Sequence, residues 1–217
     1  DVAPSRGLGD VYKRQVLAFV GIYIVRTVVS VAVQGVSDGS GMQYVKEWAA
    51  MFKNPMMWLN IAALPINYFF VFIAFFGEEY GWRYYLQPVL QKRFGLRAGV
   101  IILGVVWGLW HIPDDLFYYT QTSGIQMIFA QQITCISLGI FFAYAYMKTQ
   151  NIWVPVCLHY LNNNLIPIIS GTFSADVLEN QTVSWKDLPV ALVLNGLCFG
   201  FFLLADVFKK KEVQEEE

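Results

Sequence analysis

Five ionisable residues sit where the surrounding chain is apolar: Glu78, Glu79, Arg83, His111 and His159. Charge inside an apolar run is expensive, and by default it marks a working site. Their spacing sorts them. Glu79 and Arg83 are four apart, on one helix face, and read as a structural ion pair. Glu78 is turned from that face by about 100°, which leaves its carboxylate available. His159 and Asn163 are also four apart and point the same way, while Asn162 and Asn164 flank them as packing or supporting residues. A lone histidine in such a run is usually a helix–helix hydrogen-bonding residue. Two histidines with two glutamates and an arginine are harder to account for that way. A carboxylate and an imidazole can together take a proton from water, and imidazole and amide N–H groups can stabilise an oxyanion. Glu78, His111 and His159 could equally supply three zinc ligands with an open fourth position.

The elements that must position these residues are membrane helices. The chain has 217 residues, of which 56% are hydrophobic, 17% aromatic and only 14% charged. Soluble domains carry about a quarter charged residues. Mean hydropathy is +0.46 and net charge −1, which excludes a soluble globular domain, a disordered chain and the basic field a nucleic-acid partner would need. Cys135, Cys157 and Cys198 all lie in apolar runs and offer neither a disulfide framework nor a paired metal motif. Residues 1–15 read as an extension outside the fold, because Asp10-Val11-Tyr12-Lys13-Arg14-Gln15 is what a sequencing-library adapter encodes. More chain is therefore expected upstream in the natural protein.

A crossing helix needs about 20 apolar residues, and six runs qualify, at roughly 16–36, 57–77, 97–113, 125–147, 151–170 and 188–208. Backbone in lipid must satisfy its own hydrogen bonds, so the expected fold is all-α, a polytopic bundle over 16–208 followed by a charged tail at 209–217. Lys92, Arg93, Arg97, Lys148 and Lys209 to Lys211 fall on one side by alternation, against Lys46, Lys53 and Lys186 on the other. That asymmetry sets the C-terminus in the cytoplasm of a multi-pass protein of the cell membrane. Depth then gives a convergence. Glu78 lies 17 residues before Gly95 and His111 lies 16 after it, so an antiparallel hairpin sets both at one level, about 25 Å from its tip. His159 follows the next turn, near Gln150, by nine residues, about 13 Å, and the two depths agree if the Lys92–Arg97 tip projects about 10 Å into the cytoplasm.

With these residues in view, the chain resembles the CPBP intramembrane proteases, the group of type II CAAX prenyl proteases and bacterial Abi-type proteins. Its first motif, EExxxR, matches Glu78, Glu79 and Arg83; its second, FxxxH, matches Trp107 to His111 with Trp in the first place; its third, HxxxN, matches His159 and Asn163. The resemblance covers about Pro55 to Pro167. Tyr84 departs from it, standing where the bacterial branch often has Gly, and is expected to narrow the site. The resemblance implies an endopeptidase of bacterial type, acting on a peptide or protein substrate at the bilayer, with no nucleic-acid partner. Glu78 and His111 would activate a water, and His159 and Asn163 would bond the oxyanion. There is no HExxH, and the metal-independent form is favoured, with zinc on Glu78, His111 and His159 as its alternative. Two other classes compete: a non-enzymatic immunity or scaffold protein that binds a peptide with this fold, and a small transporter with a Glu/His proton relay. The inverted repeats and paired broken helices of transporters are not seen. The sequence predicts that Glu78, His111, His159 and Asn163 face one polar cavity, with polar atoms within about 8 Å of one another. A structure with either histidine on the lipid face would contradict it.

Overall fold

The computed structural model describes residues 41–170 and 175–209 continuously, with scattered positions between 10 and 29. Apart from those positions and Lys209, the 1–15 extension, the span expected over 16–36 and the charged tail lie outside the described residues. What is described is helical: α1 (Gly41–Met51), α2 (Pro55–Glu79), α3 (Gln87–Phe94), α4 (Leu96–Trp110), α5 (Ile112–Phe117), α6 (Gly124–Thr149), α7 (Trp153–Ser170), α8 (Ala175–Glu179) and α9 (Asp187–Cys198). Short 3-10 turns follow at Gly200–Leu204 and Asp206–Phe208.

Local chemistry sets the boundaries that matter. Asn54 caps α2 by accepting from the Met56 N–H at 2.9 Å, and Pro55 occupies the first turn, where no N–H is needed. At Glu79 the chain widens into a π-helical turn, Tyr80–Leu86, before α3. Such turns are rare and concentrate at functional sites. Gly95, at φ 88°, makes the tight reversal between α3 and α4, and Gln150, at φ 51°, ends α6 in the left-handed conformation.

Three continuous helical stretches are long and apolar enough to cross a membrane: Pro55–Phe94, Leu96–Phe117 and Gly124–Thr149. The other expected spans fare differently. The run at 151–170 is one helix, α7, but His159 and Asn162 to Asn164 lower its apolar character. The run at 188–208 is not one helix. It stops at Cys198, continues as 3-10 turns, and turns extended at Ala205. Gly196 and Gly200 weaken that run as a helix, which apolar composition alone does not register.

The hub of the bundle is the contact of α4 with α6. A Cβ on Gly104 would lie 2.5 Å from the Ile136 Cα, and Gly139 faces the Gly104 Cα from α6. Gly108, one turn on, packs on the Gln132 side chain, whose Nε2 donates to the Gly104 carbonyl at 3.2 Å. Small residues four apart let backbones approach where lipid supplies no hydrophobic drive between helices. Around this seam pack Trp107, Leu138, Phe141, Phe142 and Leu158, with Phe19 stacked on Phe141 at 5.8 Å. Gly104→Val should therefore force α4 and α6 apart and cost about 1–3 kcal/mol, read as a lower melting temperature and yield in detergent. Wild-type stability in that variant would show that the seam has slack.

Candidate active site

The site is built on one buried carboxylate. Glu79, the last residue of α2, is fully buried, as is Arg83 in the π-helical turn. Arg83 Nε lies 3.2 Å from Glu79 Oε2. The other oxygen, Oε1, lies 2.9 Å from His159 Nδ1, across 80 residues of sequence. The spacing of Glu79 and Arg83 gives no hint of that second partner. The guanidinium is further held over the faces of Trp107, at 5.0 Å, and Phe142, at 5.4 Å. Ring faces are negative at their centre, so they serve a cation that has left water. The same aromatic shell encloses His159, with Phe75 at 5.2 Å and Trp107 at 5.4 Å.

These contacts fix which nitrogen of each histidine is left for chemistry. A carboxylate paired with Arg83 only accepts, so His159 donates its Nδ1–H to Glu79 and keeps Nε2 for another partner. His111 closes α4, and its Nδ1 is 2.8 Å from the Trp107 carbonyl, which also only accepts. Its Nε2 is likewise left over. Asn162 donates Nδ2–H to Asn163 Oδ1 at 2.8 Å, which turns the Asn163 amide so that its own Nδ2–H pair is the side left to give.

His111, His159, Asn162 and Asn163 line a single cavity of about 390 Å³ between α4, α6 and α7. Tyr118 and Tyr119 close one side of it, and the 118–123 connection they begin is pinned from the segment after α8 by Gln181 N–H to the Tyr119 carbonyl at 2.9 Å and Val183 N–H to Ser123 Oγ at 3.0 Å. Burial, helped by the carboxylates of Asp114 and Asp115, pushes the Tyr119 phenol above its ordinary range, so it stays a neutral O–H donor on that wall.

Glu78 departs from the expectation of four residues on one cavity. It is half-buried and lines a different, mostly apolar pocket with Trp82, Leu86 and Trp110. The helix face turned to the bundle interior carries Glu79 and Arg83, and the rotation that frees Glu78 from Arg83 also turns it off the histidine wall. It stays within electrostatic reach of Arg83 and of Cys135. For the same reason the zinc set of Glu78, His111 and His159 does not close: among the described residues no three His, Cys, Asp or Glu side chains are grouped to hold a metal. Tyr84 does not narrow the site either; it is exposed and stacks on Tyr80 at 4.8 Å.

The cavity also has walls that the motifs do not mark. Cys135 Sγ lies 3.7 Å from His111 Nδ1, and Gln131 and Thr134 stand beside it on α6. The polar run Gln131-Gln132-Ile133-Thr134-Cys135, in the middle of an otherwise apolar span, was the available signal.

Comparison with known proteins bears on this geometry. Residues 60–165 match the family model described as type II CAAX prenyl endopeptidase Rce1-like. The chain is similar to the CAAX prenyl protease 2 of Methanococcus maripaludis, 27% identical over 125 residues. That match takes in 54% of this chain and 45% of the archaeal protein, so the chain spans about half the length of that relative. No solved structure matches the chain significantly.

Removing the carboxylate charge has a calculable cost. Glu79→Gln leaves Arg83 buried without a counter-charge, and breaking a buried pair in this way costs about 3–5 kcal/mol. A lowered melting temperature of the purified variant in detergent is the expected result. An unchanged melting temperature would mean that Arg83 finds its counter-charge elsewhere.

Proposed function

We propose, on the match of residues 60–165 to the type II CAAX prenyl endopeptidase Rce1-like family model, that the chain is an intramembrane endopeptidase centred on the histidine cavity. Glu78 and His111 draw a proton from a bound water, and the water oxygen adds to the carbonyl carbon of the scissile peptide bond. Asn163 Nδ2–H and His159 Nε2–H bond the oxyanion that forms. On collapse the C–N bond breaks, and the proton taken from water passes to the leaving amine.

One observation carries this reading: the bond from His159 to Glu79, which joins the first and third motifs and aims His159 at the cavity that His111 and Asn163 also line. With Nδ1–H committed to Glu79, the Nε2–H that meets the oxyanion belongs to a ring carrying N–H on both nitrogens. Glu78 does not line this cavity; its charge reaches the site by way of Cys135, whose Sγ lies 3.7 Å from His111 Nδ1. The substrate is a peptide or protein at the bilayer. The protein sits in the cell membrane of a bacterial-type cell, with the Lys-rich C-terminus in the cytoplasm. The metal-independent form is the one proposed, with zinc as its alternative.

Glu78→Gln should abolish cleavage of fluorescein-labelled casein while keeping the melting temperature, since the amide fills the same space but takes no proton. Casein cleavage should also survive a strong chelator. Full activity in Glu78→Gln would sink the assignment of the base. Chelator-sensitive activity restored by zinc would reassign the histidines as ligands.

A further inference from the structure

A second cavity, of about 520 Å³, adjoins the first and shares three of its walls, Asn163, Pro167 and Leu178. Its remaining polar lining comes from asparagines on two helices. Asn60 and Asn67 lie seven apart on one face of α2, and Asn164 stands beside Asn163 on α7. Among the described residues no Lys, Arg, Asp or Glu lines it, and the rest of its described wall is apolar, with Ala63, Leu64 and Ile168. Polar side chains at such positions in apolar helices are costly unless they have a partner.

Some of these amides already have one. Asn67 Nδ2 donates to the Tyr160 hydroxyl at 3.1 Å and to Asn164 Oδ1 at 3.3 Å, and Asn164 Nδ2 donates to the Tyr160 carbonyl at 3.0 Å. Asn60 makes no side-chain hydrogen bond to another described residue. Pro167 has no N–H, so it gives no helical hydrogen bond to the Asn163 carbonyl four residues before it.

A carboxamide offers one acceptor and a pair of donors, which is also what each peptide group asks for. A neutral cavity lined this way is unsuited to a phosphate, a carboxylate or a metal ion and suits an uncharged chain of alternating donors and acceptors. Asn60 and Asn67 are about 10 Å apart along the helix, the reach of about three extended residues. We propose that this asparagine-walled cavity holds the stretch of substrate adjoining the scissile bond, about three residues in extended form gripped by their main-chain amides, with Asn60 as a positioning residue that bonds it directly. The inference rests on the endopeptidase reading and adds how that site would grip its substrate: by backbone, with only small or apolar side chains accommodated.

The test uses the detergent-purified chain and two fluorescein-labelled probes, hexaalanine amide and its fully N-methylated counterpart, titrated by fluorescence polarisation. Hexaalanine should bind saturably, the N-methylated peptide about tenfold or more weakly, and Asn60→Leu should weaken hexaalanine about fivefold with no change in melting temperature. Asn60→Gln should recover part of the loss, and Asn60→Ser replaces Asn60→Leu if the latter does not fold. On casein, Asn60→Leu should raise KM by about fivefold and leave kcat within about twofold. Absence of saturable hexaalanine binding, equal binding of the two peptides, or binding indifferent to Asn60, would overturn the proposal. Binding through Asn60 without any casein cleavage would uphold this site and overturn the endopeptidase reading; casein cleavage with binding indifferent to Asn60 would do the reverse.

Discussion

Everything in the site is arranged around one anion that cannot reach water. The Glu79 carboxylate is fully buried, and each of its oxygens is committed, one to Arg83 and one to His159. Taking such a charge out of water costs several kcal/mol per ion, and the return here is partial, since Glu79 Oε2 and all three guanidinium nitrogens of Arg83 make no hydrogen bond to a described residue. The arrangement is therefore weak as a source of stability and strong as a constraint. Arg83 must lie where Trp107 and Phe142 offer their faces, which ties the π-helical turn to α4 and α6. His159 must stand beside Glu79, which fixes the rotation of α7 against α2. Four separate elements are thus indexed on one side chain, and the cavity is the space left among three of them.

The close seam between α4 and α6 is the mechanical counterpart. Gly104 and Gly139 let those backbones meet, and Trp107, three residues on from Gly104, is thereby pressed between Arg83 and the two histidines. Its carbonyl receives His111 Nδ1–H while its ring carries the guanidinium. A bulkier or flatter packing at the seam would shift both contacts together. The aromatic residue that opens the second motif thus has two jobs here, one by its ring and one by its backbone, and the ring's job is the one that depends on residue type.

Much of this was legible in the sequence, for reasons that differ by residue. Helical spacing places Glu79 with Arg83 and His159 with Asn163, because neighbours on one helix face are set by the backbone alone. The hairpin turns at Gly95 and Gln150 followed from Gly and from the ends of apolar runs, and the chain reverses at both. The tie from Glu79 to His159 was not legible, since no local rule relates residues 80 apart. Glu78 shows the limit most clearly. Spacing gave its rotation away from Glu79, but which neighbour lies on that side depends on how α2 packs, and it faces Trp82 and Trp110 rather than the histidines. The run at 188–208 failed for another reason: hydropathy counts apolar residues and does not see that a helix can stop at Cys198 while composition continues unchanged.

The central claim is that Glu79 holds the Nδ1–H of His159 and so aims Nε2 at the cavity. Nitrogen-15 NMR of histidine-labelled protein in detergent reads this directly, because the chain has only two histidines and His111→Gln leaves one signal set. The account predicts a protonated Nδ1 on His159 with a strongly hydrogen-bonded, deshielded proton, and a shift of that proton when Glu79 is replaced by Asp. An Nε2-protonated neutral ring, or an Nδ1 signal indifferent to Glu79, would contradict it.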